Sequence, residues 1–119
     1  MPSLSLPWPP SNNTYWRHVG ARVLLSQRGR EYRVLVGQQV LVQWPRGIPR
    51  PMSGRLSLTI VTFQPDKRVR DLDNLPKAVQ DALQHAGVFE DDGQIDTLHV
   101  FRGPSERPGA LQVTIRVCR

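Results

Sequence analysis

The sequence predicts a mixed α+β domain, with four to five strands in one sheet and two helices in the order β-(β)-α-β-α-β-β. Three observations carry this. "RLSLTIVTF" and "ALQVTIRV" alternate apolar and polar residues with the period of a strand. "DNLPKAVQDALQHAG" repeats its apolar residues at helical spacing. The Gly- and Pro-rich stretches between such segments are short, so residues 1–119 read as a single domain with one modest core.

From the start, "SLSLP" places Leu4 and Leu6 on one side of a short strand. "PWPPSNN" follows, and its closely spaced prolines exclude helix and central strand, leaving a stiff loop. "ARVLLS" reads as an optional edge strand. Ser26 is placed to cap a helix from Gln27, with Tyr32, Leu35, Val36 and Val40 on its inner face, Trp44 a turn later and Pro45 ending it. The loop 46–54 has no assigned role. In the next strand Leu56, Leu58 and Ile60 face one way, Ser57 and Thr59 the other. After the basic connection "QPDKRVR", Asp73 is expected to cap a helix from Asn74. Pro76 lies in its first turn, Leu75, Val79, Ala82, Leu83 and Ala86 form its buried stripe, and Gly87 ends it. "QIDTLHVF" and "ALQVTIRV" are expected to pair as an antiparallel hairpin, with Leu111, Val113, Ile115 and Val117 inward. Val61, Phe63, His99 and Phe101 lie on the second face, candidates for contact with a second copy of the chain.

Charge sharpens the reading. The chain carries a net +6, but residues 1–70 hold about +9 and residues 71–119 about −3. A basic portion beside an acidic one suits a polyanionic partner and a separate place for a cation. A lone cysteine, Cys118, excludes a disulfide or a Cys-built metal site within one chain. No apolar run reaches the roughly 18 residues of a membrane span, and the N-terminus has no basic region of a signal peptide. A cytoplasmic protein is expected.

The acidic residues gather in "DLDNLPKAVQDALQHAGVFEDD". Asp71 and Asp73 share one side if the chain is extended there, and Lys77 lies one helical turn beyond Asp73. Asp91 and Asp92 follow the helix and rejoin the first pair only if the chain folds back. Such an oxygen-only set favours Mg²⁺, with Mn²⁺ as a substitute, over zinc. The same residues also read as a helix cap, a surface ion pair with Arg68, Arg70 or Asp81, and a polar turn; spacing leaves both readings open. Lys67, Arg68 and Arg70 stand immediately before Asp71, where they can grip phosphates, and Arg17 extends that surface. Asn12, Asn13 and Trp16 can contact phosphates or stack on bases, or anchor a loop on the core.

"LPWPPSNNTYWRH", "PDKRVRDLDNLPKAVQDAL" and "AGVFEDDGQID" together resemble the RusA family of Holliday junction resolvases along nearly the whole chain. The resemblance implies a small homodimeric, Mg²⁺-dependent endodeoxyribonuclease that resolves four-way DNA junctions by paired symmetric nicks. It implies that Asp71, Asp73 and Asp92 are metal-binding and catalytic, that Lys77 is catalytic, and that Asp91 supports them. Pro76 stands where a polar residue is expected, and Val69 where a basic one is. Two other functions fit the residues: a basic nucleic-acid-binding dimer without chemistry, and a nuclease with broader branched-DNA substrates.

Overall fold

The structure, a computed structural model, describes residues 2–68 and 70–118; Val69, expected to weaken the basic run, lies outside them. In chain order come β1 (Ser3–Pro7), a short helix α1 (Asn12–Tyr15), β2 (Trp16–Val19), β3 (Arg22–Leu25) and α2 (Gln27–Gln43). Then follow β4 (Leu56–Phe63), α3 (Pro76–His85), β5 (Ile95–Arg102) and β6 (Ala110–Val117). The main sheet has the order β1-β6-β4-β5; β4 and β5 are parallel and the other pairs antiparallel. The α+β class expected from the sequence is the one observed.

The core forms where alternation and helical period agree. Leu4 and Leu6, Leu56, Leu58 and Ile60, and Leu111, Val113 and Ile115 line one face of the sheet and are buried. Tyr32, Val36 and Val40 of α2 and Val79, Ala82 and Leu83 of α3 close over them. Each Val, Leu and Ile among them contributes about 1.5–3 kcal/mol by leaving water. Ser26 caps α2 as expected, its Oγ accepting from the Gly29 amide at 3.0 Å. Gly87, at φ 80°, ends α3 in the left-handed conformation that favours glycine. Leu35 and Val117, expected inward, are exposed: Leu35 sits on the rim of the Tyr32–Val36–Val40 stripe, Val117 at the end of its strand.

Three expectations are corrected. The last two strands are not a hairpin, because β4 lies between them. The segment after β5 runs past the end of β4 instead of turning back: the Gly103 amide donates to the Thr62 carbonyl and the Glu106 amide to the Gln64 carbonyl, both at 2.7 Å. β4, buried at every second residue, takes the central place, and the exposed β5 becomes an edge. The second correction is that "ARVLLS" does not join the main sheet. β3 pairs with β2 in a separate hairpin, and β2, "WRHV", lacks the alternation that would have announced it. Third, Asp73 is not a helix cap. Residues Leu72–Asn74 form a 3-10 turn and α3 begins at Pro76, which needs no backbone donor there.

The two sheet edges differ. At β1 the Gln43 side chain accepts from the Ser5 amide at 2.7 Å and donates to the Ser5 carbonyl at 2.8 Å, closing that edge. β5 is eight residues long, contains no proline, and has a strand neighbour on one side alone among the described residues. The strand register puts Val61 beside Phe101 and Thr59 beside His99 on the face away from the core. The His99 and Phe101 rings there lie nearly parallel, 6.4 Å apart.

Candidate active site

Of the seven aspartates, Asp91 caps a turn and the other six divide into two sets. Asp66 accepts from both Arg70 guanidinium nitrogens at 2.7 and 3.2 Å and from the Arg68 amide at 2.9 Å. Arg70 first, then the Arg68 amide, hold its carboxyl down to about 2. Asp81 accepts from Arg33 at 2.9 and 3.0 Å and from the Tyr15 hydroxyl. Burial, and then the bond to Asp81, push the Tyr15 hydroxyl well above the usual phenol range, so it stays a donor. Asp96 is held by Arg55 Nε at 2.8 Å. By contrast, Asp71, Asp73 and Asp92 are exposed and take part in no ion pair among the described residues.

Asp71 immediately precedes the 3-10 turn ahead of α3 and Asp73 lies within it; the turn replaces the extended chain expected to align them, and they line different clefts. Asp71 lines a cleft of about 320 Å³ with Trp8, Ser11, Arg70 and Asn74. Asp73 lines another of about 420 Å³ with Lys77, Gln80, Leu98 and Val100, along the flank of β5. Lys77 thus joins Asp73, one turn on, as the spacing predicted. Its ammonium lies 5.9 Å from the centre of the Trp16 ring, within cation–π range. Trp16 is itself set by its indole N–H donating to Asn12 Oδ1 at 3.1 Å and by edge-on contact with Tyr15. Arg70 stands 5.8 Å from the centre of the Trp8 ring while bound to Asp66. Asn13, Arg17, Lys67 and Arg68 are exposed around this end of the molecule.

Asp92 lies elsewhere. Its amide donates to Gln84 Oε1 at 3.0 Å, in the last turn of α3. Lys77 and Gln84 are seven residues apart on one helix, roughly 10 Å along its axis. Among the described residues, no three His, Cys, Asp or Glu side chains of one chain come close enough together to hold a metal ion. The convergence of Asp92 with Asp71 and Asp73 expected from a folded-back chain is therefore not formed within one chain. Asp91 caps the turn Asp92–Gln94, accepting from the Gly93 amide at 2.8 Å. Gln94 reaches back to the Asp91 amide at 3.1 Å and donates to the carbonyls of Met52 and Gly54. The loop 46–54, which had no legible role, thus anchors the Asp92 turn.

Sequence reasoning passed over Asp66 as the partner of Arg70, and gave Asp81 to Lys77 and Arg33 to the basic surface, whereas those two pair with each other. Local pattern carries no signal for the Arg33–Asp81 pair, 48 residues apart. A larger cleft, about 770 Å³, is lined by residues such as Met52, Ile115 and Cys118 at the opposite end of β4 from Asp71. It contains no carboxylate, so chemistry favours the smaller clefts over this roomier one. No helix among the described residues is long and apolar enough to cross a membrane.

Free carboxylates beside a lysine, ringed by basic and aromatic side chains, are the kind of constellation nucleases use on phosphodiesters. Residues 7–116 match the family model described as Endodeoxyribonuclease RusA, and the chain belongs to that family. It is 43% identical over 110 residues to the crossover junction endodeoxyribonuclease of Enterobacteria phage HK97, covering 92% of this chain and 89% of that protein. It is 40% identical over 114 residues to the enzyme of that name from Escherichia coli strain K12, covering 95% and 92%. The corresponding protein of Enterobacteria phage 82 is 38% identical over 117 residues, covering 94% and 91%.

Proposed function

We propose that this chain, acting as a single domain and as a homodimer in the cytoplasm, is a Mg²⁺-dependent endonuclease that resolves four-way DNA junctions by paired symmetric nicks. The observation that carries the reading is the division of the aspartates: three are held by arginines, while Asp71, Asp73 and Asp92 are exposed outside any ion pair among the described residues. Their oxygen-only chemistry fits Mg²⁺, or Mn²⁺ in its place, which is usually held by one or two carboxylates together with water and phosphate oxygens. A bound Mg²⁺ supplies activation of water and stabilisation of phosphodiester charge.

The chain's own groups do the rest. Asp71 and Asp73 present carboxylate oxygens from the start and the middle of one short turn. Lys77, one helical turn on, offers a positive charge to the scissile phosphate or the leaving oxygen. Lys67, Arg68 and Arg17 draw phosphates toward the same end. Asn12 orients Trp16, and Asn13 beside them adds a polar contact. Arg70 fixes the Asp66 turn and stands beside Trp8, holding the strand's approach in shape. Two nicks related by two-fold symmetry call for two such sites related the same way, which a C₂ dimer provides.

The test is cleavage of a mobile four-way junction by the purified protein in Mg²⁺, in Mn²⁺ and in EDTA, with flaps and Y-forks alongside. Paired nicks in Mg²⁺, and binding without nicking in EDTA, are expected. A second reading, a basic DNA-binding dimer without chemistry, draws on the separation of Asp92 from Asp73 within one chain. Tight junction binding with no nicking in either metal would replace the first reading with the second. Equal cutting of flaps and forks would broaden the substrate class.

A further inference from the structure

Lys77 carries its charge without an acidic partner. Asp81, one turn further along α3, is where an ion pair at helical spacing would form. But Asp81 is taken by Arg33 at 2.9 and 3.0 Å and by the Tyr15 hydroxyl. Among the described residues Lys77 belongs to no ion pair. The side chain is exposed at the start of α3, on a flexible four-carbon stem. What its ammonium meets is the face of Trp16, 5.9 Å away at the ring centre.

Trp16 is itself held in place. Its indole N–H donates to Asn12 Oδ1 at 3.1 Å, and the Tyr15 ring meets it edge-on, 4.9 Å between centres. The backbone beneath it is tied to the cap of α2. The Ser26 hydroxyl lies 2.6 and 2.8 Å from the carbonyls of Thr14 and Tyr15, and the Ser26 amide donates to the Tyr15 carbonyl at 3.0 Å. The ring is half-buried and packs against the core. It lines neither the cleft beside Asp71 nor the one beside Asp73, whereas Lys77 lines the second. Trp16 therefore reaches that cleft through Lys77. The Arg70–Trp8 contact differs on both counts: Arg70 is already bound to Asp66, and Trp8 itself lines a cleft.

We propose that Trp16 is a positioning residue for Lys77, its ring holding the ammonium near Asp73 with the charge uncancelled. The inference rests on the functional reading above and adds what aims its lysine. A carboxylate would also restrain the side chain, but it would neutralise the charge that a scissile phosphate needs. The negative face of an aromatic ring attracts the cation and leaves its net charge intact. A fixed ring thus narrows the wandering of a long side chain at no cost to its field.

The contact is read first without metal or DNA. The chain has two lysines, Lys67 and Lys77, so lysine carrying ¹³C at Cε gives two methylene signals, assigned with Lys77→Arg. The Lys77 protons should lie upfield of those of Lys67, shifted by the ring current of Trp16, and Trp16→Leu should remove the shift. Junction nicking is read next. Trp16→Leu should lower the rate at saturating protein about 3- to 5-fold, the scale of one exposed cation–π contact, with the junction Kd in EDTA unchanged. Trp16→Phe, which keeps an aromatic face, should restore most of the shift and most of the rate. In a Lys77→Met background, Trp16→Leu should slow nicking no further.

Coincident lysine signals in the wild type would overturn the proposal, as would a further loss from Trp16→Leu on top of Lys77→Met. Weaker junction binding in EDTA at an unchanged saturated rate would also overturn it, by making Trp16 a stacking platform for DNA. If Trp16→Leu does not fold, fluorinated tryptophans placed at position 16 alone keep the ring's shape and weaken its negative face. Nicking should then fall with each added fluorine, and a flat series would overturn the proposal. Wild type with the shifted Lys77 signal but no nicking in Mg²⁺ or Mn²⁺ would instead remove the nuclease reading and leave the Trp16–Lys77 contact standing.

Discussion

The two ends of α3 use the same residue type in opposite ways. At the N-terminal end Asp71 and Asp73 stand in solvent beside Lys77, with aromatic rings and basic side chains about them. Toward the C-terminal end the acidic groups build structure: Asp81 gathers Arg33 and Tyr15, Asp91 caps its turn, and Gln84 pins the Asp92 backbone. A carboxylate between arginine nitrogens has little field left for an ion or a phosphate. One without such partners keeps its charge available. The difference teaches that position relative to an arginine, more than acidity of the segment, separates working from supporting aspartates here. Asp92 breaks the symmetry, since its backbone belongs to the supporting end and its side chain to the free set.

The largest effect expected from disturbing this contrast is at the N-terminal end. Asp73→Asn removes a charge that no folded-state partner uses, so the thermal midpoint should hold while junction nicking in Mg²⁺ falls about 10²–10³-fold, the scale of losing one charge-stabilising group. Measuring both on one preparation checks it. A folded variant that nicks at the wild-type rate would remove Asp73 from the site. At the other end Asp81→Leu should invert the pattern. It strands the Arg33 and Tyr15 donors, at a cost of about 1–3 kcal/mol. Because the pair is about a quarter exposed, the low end applies, roughly 5 °C in thermal midpoint. Nicking per folded molecule should be unchanged. The smallest effect is at the rim. Arg68→Ala should weaken junction binding a few-fold and lower the salt slope by about one, with nicking recovered at high protein concentration. An unchanged salt slope would mean that Arg68 touches no phosphate.

Much of this was legible in the sequence, for a physical reason. Leu56, Leu58 and Ile60, and Leu75 through Leu83, announce their elements because strand and helix periods map directly onto one buried face. Local spacing put Asp71, Asp73 and Lys77 together at the start of α3, where a 3-10 turn replaces the extended chain expected to align the aspartates. What stayed hidden was non-local. No pattern near Arg102 says that β4 will come between β5 and β6. Nothing near Asp81 names Arg33 as its partner. The twenty residues from Asp71 to Asp92 resembled one site in sequence, but the intervening helix is a spacer, and a rigid rod cannot bring its own ends together.

Gly29 has a consequence of a mechanical kind. A β-carbon there would lie 2.6 Å from the Tyr15 carbonyl oxygen and 2.7 Å from the Leu25 side chain, so α2 and the root of the β2–β3 hairpin meet at the closest approach atoms allow. The hairpin reaches about 13 Å beyond that point, at a strand's rise per residue. It is a lever whose fulcrum has no slack. A single methyl group added at the fulcrum must tilt the whole arm, carrying Arg22 at its tip through a larger arc than the displacement that caused it, and with it the aim of a positive charge at an incoming duplex.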